Sequence, residues 1–230
     1  MACVPRPVLF TLLIGLLLQT GLHASRDRLQ ATQAPLPVPL QSDYLNISSL
    51  GDPVALSKLL MLWLQGFDYQ PGISIPFVRM DYPLLIKWLD AILLLDPDSH
   101  YALLSAVRIY SEVPDDAKKR QILDFVYRKF LENPAQRWPW MAHAVYVARH
   151  RLNDKQLALV YARELRLRTT GMNIPDWAKQ MELFALEDVG EPEAARILLG
   201  GLIESGEITE QREIDFLTSR LSEDHHTAAP

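Results

Sequence analysis

The chain has 230 residues, 49% of them hydrophobic, enough for one compact domain or a short repeat array with a continuous core. Ten glycines against 16 prolines favour helices punctuated by proline over a β-sandwich, which would need many glycine-rich turns. With 23 basic and 28 acidic residues the net charge is -5, and Lys118-Lys119-Arg120 is the only basic run, so the chain lacks the concentrated cationic surface a nucleic-acid partner requires.

The chain opens with its single cysteine, Cys3, which leaves no partner for an intramolecular disulfide and no Cys-based zinc site. Cys3 precedes the apolar run from Val8 to Leu22, whereas a bacterial lipoprotein signal places its cysteine at the end of such a run. The run carries no charge and follows Arg6, so residues 8–24 are expected to meet a membrane. Two outcomes fit, a retained signal anchor or a signal peptide cleaved after Leu22-His23-Ala24, and in either the body is translocated. A buried core helix is the third reading. Residues 25–50, with Pro35, Pro37 and Pro39, read as an extended spacer. Asn46-Ile47-Ser48 fits the glycosylation pattern and is read as loop.

Residues 51–221 carry a helical rhythm. Asp52-Pro53 supplies a cap acceptor followed by a residue that needs no N–H. From Ala55 to Phe67, Leu56, Leu59, Leu60, Trp63, Leu64 and Phe67 recur at spacings of three and four. Gln70-Pro71-Gly72 ends this helix, and Ile73 to Met80 is expected as a loop whose Ile73, Ile75 and Phe77 pack back on the helices. Further helices are predicted over Asp81–Leu95, Ser99–Glu112, Asp116–Leu131, Trp138–Arg151, Asp154–Arg168, Pro175–Val189, Glu191–Glu204 and Glu210–Leu221. Short breaks between them imply antiparallel neighbours stacked in series. Residues 222–230 are polar and expected to be disordered.

Leu95-Asp96-Pro97 and Glu132-Asn133-Pro134 close helices in the same way. Ala158 and Ala195 open later helices with a small residue, after turns at Asn153 and Gly190. In these features the chain resembles the tetratricopeptide-repeat family, and more loosely its bacterial membrane-anchored members, across residues 50 to 205. The prolines lie 37 residues apart (Pro97 to Pro134) and 41 apart (Pro134 to Pro175), where the family repeats at about 34, and Tyr146 and Leu183 stand where it has small residues. The resemblance implies an all-α solenoid of about four helical hairpins plus a terminal helix. Its concave face would present Trp140, His143, Val147, His150 and Arg151 from one pair, and Trp177, Gln180, Phe184 and Glu187 from the next.

Chemistry is sparse by comparison. His143 and His150 are seven apart, two turns distant, whereas a zinc helix spaces its ligands three or four apart. His225-His226 has no acidic residue spaced to help it. No serine sits in a Gly-flanked elbow, and Gly200-Gly201 is expected to permit close helix packing rather than to cradle phosphate. Asp115-Asp116 and Glu187-Asp188 fall at helix ends, where capping and solvation account for them. Trp138-Pro139-Trp140 combines two residues of the type enriched in binding hot spots, although both could equally cap the core. No cofactor, metal or catalytic residue is expected. The sequence points to a non-catalytic scaffold whose partner is another envelope protein. The alternatives are a purely structural helical domain or an obligate non-catalytic subunit of an envelope enzyme or transport complex.

Overall fold

The computed structural model describes residues 6–25, 34–70 and 73–223. The chain is mostly helical and divides into two units, one of residues 1–34 with 69–74, the other of residues 35–68 with 75–230. Cys3, Pro71, Gly72 and His225-His226 lie outside the described residues.

In the first unit, α1 spans Arg6–Ser25. Its side chains from Val8 to Leu22, where described, are exposed. Thr11 and Thr20 turn their hydroxyls back to donate to the carbonyls of Pro7 (2.9 Å) and Leu16 (2.8 Å). The continuous apolar stretch is Phe10–Leu22, and among the described residues no single helix is long and apolar enough to cross a membrane. Gln19, Thr20 and the small Gly21 dilute its C-terminal end. The strands β1 (Tyr69–Gln70) and β2 (Ile73–Ser74) pair antiparallel, with Tyr69 opposite Ser74 and Gln70 opposite Ile73. The Gln70 carboxamide donates to the Ala34 carbonyl and accepts from its N–H.

The second unit begins with a segment that departs from the expected spacer. Leu36 is buried in the core, and the Trp88 indole donates to the Pro37 carbonyl at 2.7 Å. The cause lies in what each side lacks: a mostly buried indole N–H needs an acceptor, and backbone spaced by prolines offers free carbonyls. Then α2 (Ser42–Ser48) buries Leu45 against Ala91 and Leu95, so Asn46-Ile47-Ser48 is helical rather than loop.

The helices that follow are α3 (Pro53–Gln65) and α4 (Tyr82–Leu95). Between them Ile75 is buried and Phe77 meets the Tyr110 ring edge-on at 5.6 Å, so these two residues of the loop do pack inward. Next are α5 (Tyr101–Ser105), continued by a widened turn over Ala106–Tyr110, α6 (Asp116–Glu132), α7 (Pro134–His150) and α8 (Lys155–Thr169). The last four are α9 (Asp176–Lys179), α10 (Met181–Asp188), α11 (Pro192–Glu204) and α12 (Gln211–Glu223). Each packs chiefly on its neighbours in the chain, α3 on α4, α6 on α7, α7 on α8, α8 on α10, α10 on α11, α11 on α12.

A single device starts five of these helices. The side chains of Asp52, Asp81, Asp115, Asn133 and Asp154 each accept the N–H three residues on, satisfying one of the free donors of the first turn. Gly190 and Gly206, at φ +82 and +74, end α10 and α11 in the left-handed turn that a residue without Cβ adopts freely. The core runs continuously through the second unit from Met61 to Leu221, and the small positions Ala158 and Ala195 are buried in it.

Three expectations change. Helix α7 begins at Pro134, four residues before Trp138, because Asn133 caps it and Pro134 fits the first turn; Pro139 therefore lies inside the helix. The helix expected over Pro175–Val189 is two, broken at Gln180. At Gly200 and Gly201 an added Cβ would meet nothing within 4 Å, so these glycines permit no close approach. The basic run Lys118-Lys119-Arg120 is held by neighbouring groups. Lys118 donates to the carbonyls of Val78 and Met80, Lys119 pairs with Asp116 at 2.9 Å, and Arg120 pairs with Asp154 at 2.7 Å.

Candidate binding groove

Helix α7 supplies the floor of the groove. Pro139, Ala142, His143 and Tyr146 recur at three and four residues and so share one face. That face, with Arg108 and Glu112 at one wall, Arg151 at the end of α7, and Trp177 and Met181 at the other wall, lines a cavity of about 600 Å³.

The wall bearing Arg108 owes its shape to the widened turn. There the Ser111 N–H bonds to the Ala106 carbonyl, five residues back, at 3.0 Å, one residue more than an α-helical turn holds. The buried Ser111 hydroxyl donates to the Val107 carbonyl at 2.7 Å, so its own hydrogen is satisfied within the turn. Arg108 is exposed, and among the described residues its guanidinium has neither hydrogen bond nor ion pair. Glu112 and Arg151 stand 3.7 Å apart, a loose pair between half-exposed side chains.

His143 is partly buried. Burial and the nearby Arg108 charge hold its imidazole below the ordinary histidine range, with Glu112 and the Val107 backbone opposing in part. Tyr146 sits between the two histidines of α7, 5.7 Å from the His143 ring and 4.8 Å from that of His150, forming an aromatic row rather than a ligand set. Among the described residues no group of three His, Cys, Asp or Glu could hold a metal ion. Trp177 is 53% exposed and meets Trp138 edge-on at 5.7 Å.

Of the residues expected to face a partner, the cavity brings together His143, Arg151 and Trp177. His150 is exposed one turn beyond, against Tyr146. Trp140 turns away toward α5, its indole donating to His100 Nδ1 at 3.3 Å. Val147 is wholly buried in the core and Gln180 is buried as well, so neither offers surface. Phe184 lies half-buried beneath the Arg220 guanidinium, 4.7 Å from its ring, and the same arginine pairs with Glu187 at 3.1 Å. The groove-facing arc of α7 thus runs through Pro139, Ala142 and Tyr146, one residue round from the arc through Trp140 and Val147. On the neighbouring segment, the break at Gln180 leaves Trp177 and Met181 facing the cavity.

Sequence reasoning did not place Arg108, Glu112 or Met181 here. Nothing in the residues 106–110 (Ala-Val-Arg-Ile-Tyr) marks a widened turn, and a regular helix would have aimed Arg108 elsewhere. Tyr146 left a trace, since it stands where a small residue was expected. No protein-family model, curated protein or solved structure matches the chain.

Proposed function

We propose that this chain is a non-catalytic interaction scaffold of the bacterial cell envelope, a tetratricopeptide-like solenoid of about four helical hairpins plus a terminal helix. It binds an extended peptide or helix of another envelope protein in the α7 groove. Residues 8–24 attach it to the inner membrane with the body in the periplasm; removal of that segment as a signal peptide would leave the same body free there. The wholly exposed apolar side of α1 supports engagement with a membrane, since leaving such a surface in water is unfavourable by about 25 cal/mol per Å². Neighbour-on-neighbour packing supports the repeat reading.

The observation that carries the binding role is the composition of the groove. Trp177, Tyr146 and Arg108, of the three residue types most enriched in binding hot spots, are all exposed around one concavity. A surface kept only for stability would cover such groups. The test is photo-crosslinking in intact cells with benzoylphenylalanine in place of Tyr146, alone and combined with Trp177→Ala. A discrete adduct lost with Trp177→Ala, in a protein whose melting temperature is unchanged, is the expected result. An adduct pattern indifferent to Trp177 refutes the groove as the binding surface.

A further inference from the structure

We infer that the occupant of the groove is an acidic segment, an extended stretch of chain that places an Asp or Glu carboxylate on Arg108 and an apolar side chain beside Trp177. This inference rests on the groove reading above and adds the chemistry of the partner. Three observations carry it.

The first is the unpaired guanidinium. Most arginines of the second unit are tied to acids or carbonyls, among them Arg120 to Asp154, Arg128 to Asp124, Arg137 to Glu132, Arg149 to Asp188, Arg163 and Arg166 to Glu182, and Arg196 to the Leu221 carbonyl. Arg79, Arg108 and Arg212 have no such partner among the described residues, and of these three it is Arg108 that lines the cavity. Its planar fork of donors suits a carboxylate better than any other protein group.

The second is the local charge. The residues lining the cavity include two arginines, Arg108 and Arg151, against one acid, Glu112, in a chain whose net charge is -5. His143 adds no positive charge near neutral pH, because its proton is held weakly. The groove is therefore a basic spot on an acidic molecule, which steers acidic segments in and turns basic ones away.

The third is the division of the lining. Pro139, Ala142, Met181 and the Trp177 ring give one side that is apolar; Arg108, Glu112 and Arg151 give the other. An extended peptide alternates its side chains, so a carboxylate and an apolar group two residues apart project in the same direction and can meet both sides.

The test is a selection from a random twelve-residue library, each peptide fused at both ends so that no free C-terminal carboxylate is present, against the full-length chain held in mild detergent. Binders are retained only if Trp177→Ala abolishes capture. The expected outcome is enrichment of Asp or Glu spaced by one residue from Leu, Phe or Trp. Affinity should fall about ten- to a hundredfold with Arg108→Glu, the range for losing a charge-assisted hydrogen bond. Replacing the selected acid by Lys should then restore binding to the Arg108→Glu protein, a reciprocal swap that general loss of fold would not produce. Arg108→Gln, which keeps a long polar side chain on the widened turn, should weaken binding without reversing the preference. Trp177-dependent binders with no acidic bias, indifferent to Arg108→Glu, would overturn the acidic occupant and leave the groove standing. An absence of any Trp177-dependent binder would overturn both.

Discussion

Two tyrosines packed against each other make opposite predictions. The Tyr82 hydroxyl donates to the Tyr110 carbonyl at 2.7 Å, and both residues are wholly buried. That carbonyl ends the widened turn, and among the described residues Tyr82 is its hydrogen-bonding partner. Tyr82→Phe removes the donor and leaves a buried acceptor unmet, a loss of about 1–3 kcal/mol with almost no change in packing volume. The Tyr110 hydroxyl, by contrast, is buried with no partner among the described residues. Tyr110→Phe removes an unmet polar group and should be neutral or stabilising by up to about 1 kcal/mol. The assay is urea unfolding followed by far-ultraviolet circular dichroism, reading midpoints at constant slope. With a slope of about 2 kcal/mol/M, the two variants should differ by roughly 1 M in midpoint. Equal losses in both, or a larger loss for Tyr110→Phe, would refute the assignment of donor and acceptor.

Other outcomes follow from the same contacts. Gly200→Ala and Gly201→Ala, at exposed sites in α11 with open space for a Cβ, should each raise stability by about 0.5–1 kcal/mol, measured by thermal melting. Glu182 is buried and accepts from Arg163 at 2.9 Å and Arg166 at 2.6 Å, joining α10 to α8. Glu182→Ala should cost about 2–3 kcal/mol in urea unfolding, below the full value for a broken buried pair because Arg163 is half in solvent. His143 binds its proton less readily in the folded state than in the unfolded chain. Its contribution to stability is thus complete above about pH 6.5 and is lost as pH falls through the lower folded value; His143→Gln should flatten melting temperature against pH on the acid side only. Trp88→Phe deletes the bond to Pro37 and should speed proteolytic cleavage within residues 35–41, with little effect on cleavage elsewhere.

The helical class was legible because its signals are local. Asp52, Asp81 and Asp154 announce helix starts by residue type alone, and the four-residue spacing of Leu56, Leu60 and Leu64 announces the stripe of α3 that packs on the core. What escaped the sequence depended on partners distant in the chain. The prolines at 35, 37 and 39 mark a segment with neither helix nor strand, but its docking depends on Leu36 in the core and on the Trp88 indole, 51 residues from its acceptor Pro37. Pro134 could close one helix or open the next, and taking it as a closing signal shortened α7. The groove suffered most, since a face is defined by angle: reading Trp140 and Val147 as its axis misses the true arc by one residue, about 100° of rotation. His143 belongs to both arcs, and Arg151 and Trp177 reach the cavity from helix ends, so those three line it.

The widened turn over Ala106–Tyr110 amounts to one residue more than a regular helix needs there. Deleting a single residue within it would restore an uninterrupted ladder of four-residue bonds, so the backbone would survive a deletion that ordinary helices resist. Because the extra residue is taken up within the wide turn, the flanking turns would keep their phase, and the change would fall on the side chains of the turn itself, Arg108 among them. A protein shortened by that one residue would keep its helices and redraw only the groove wall that Arg108 forms.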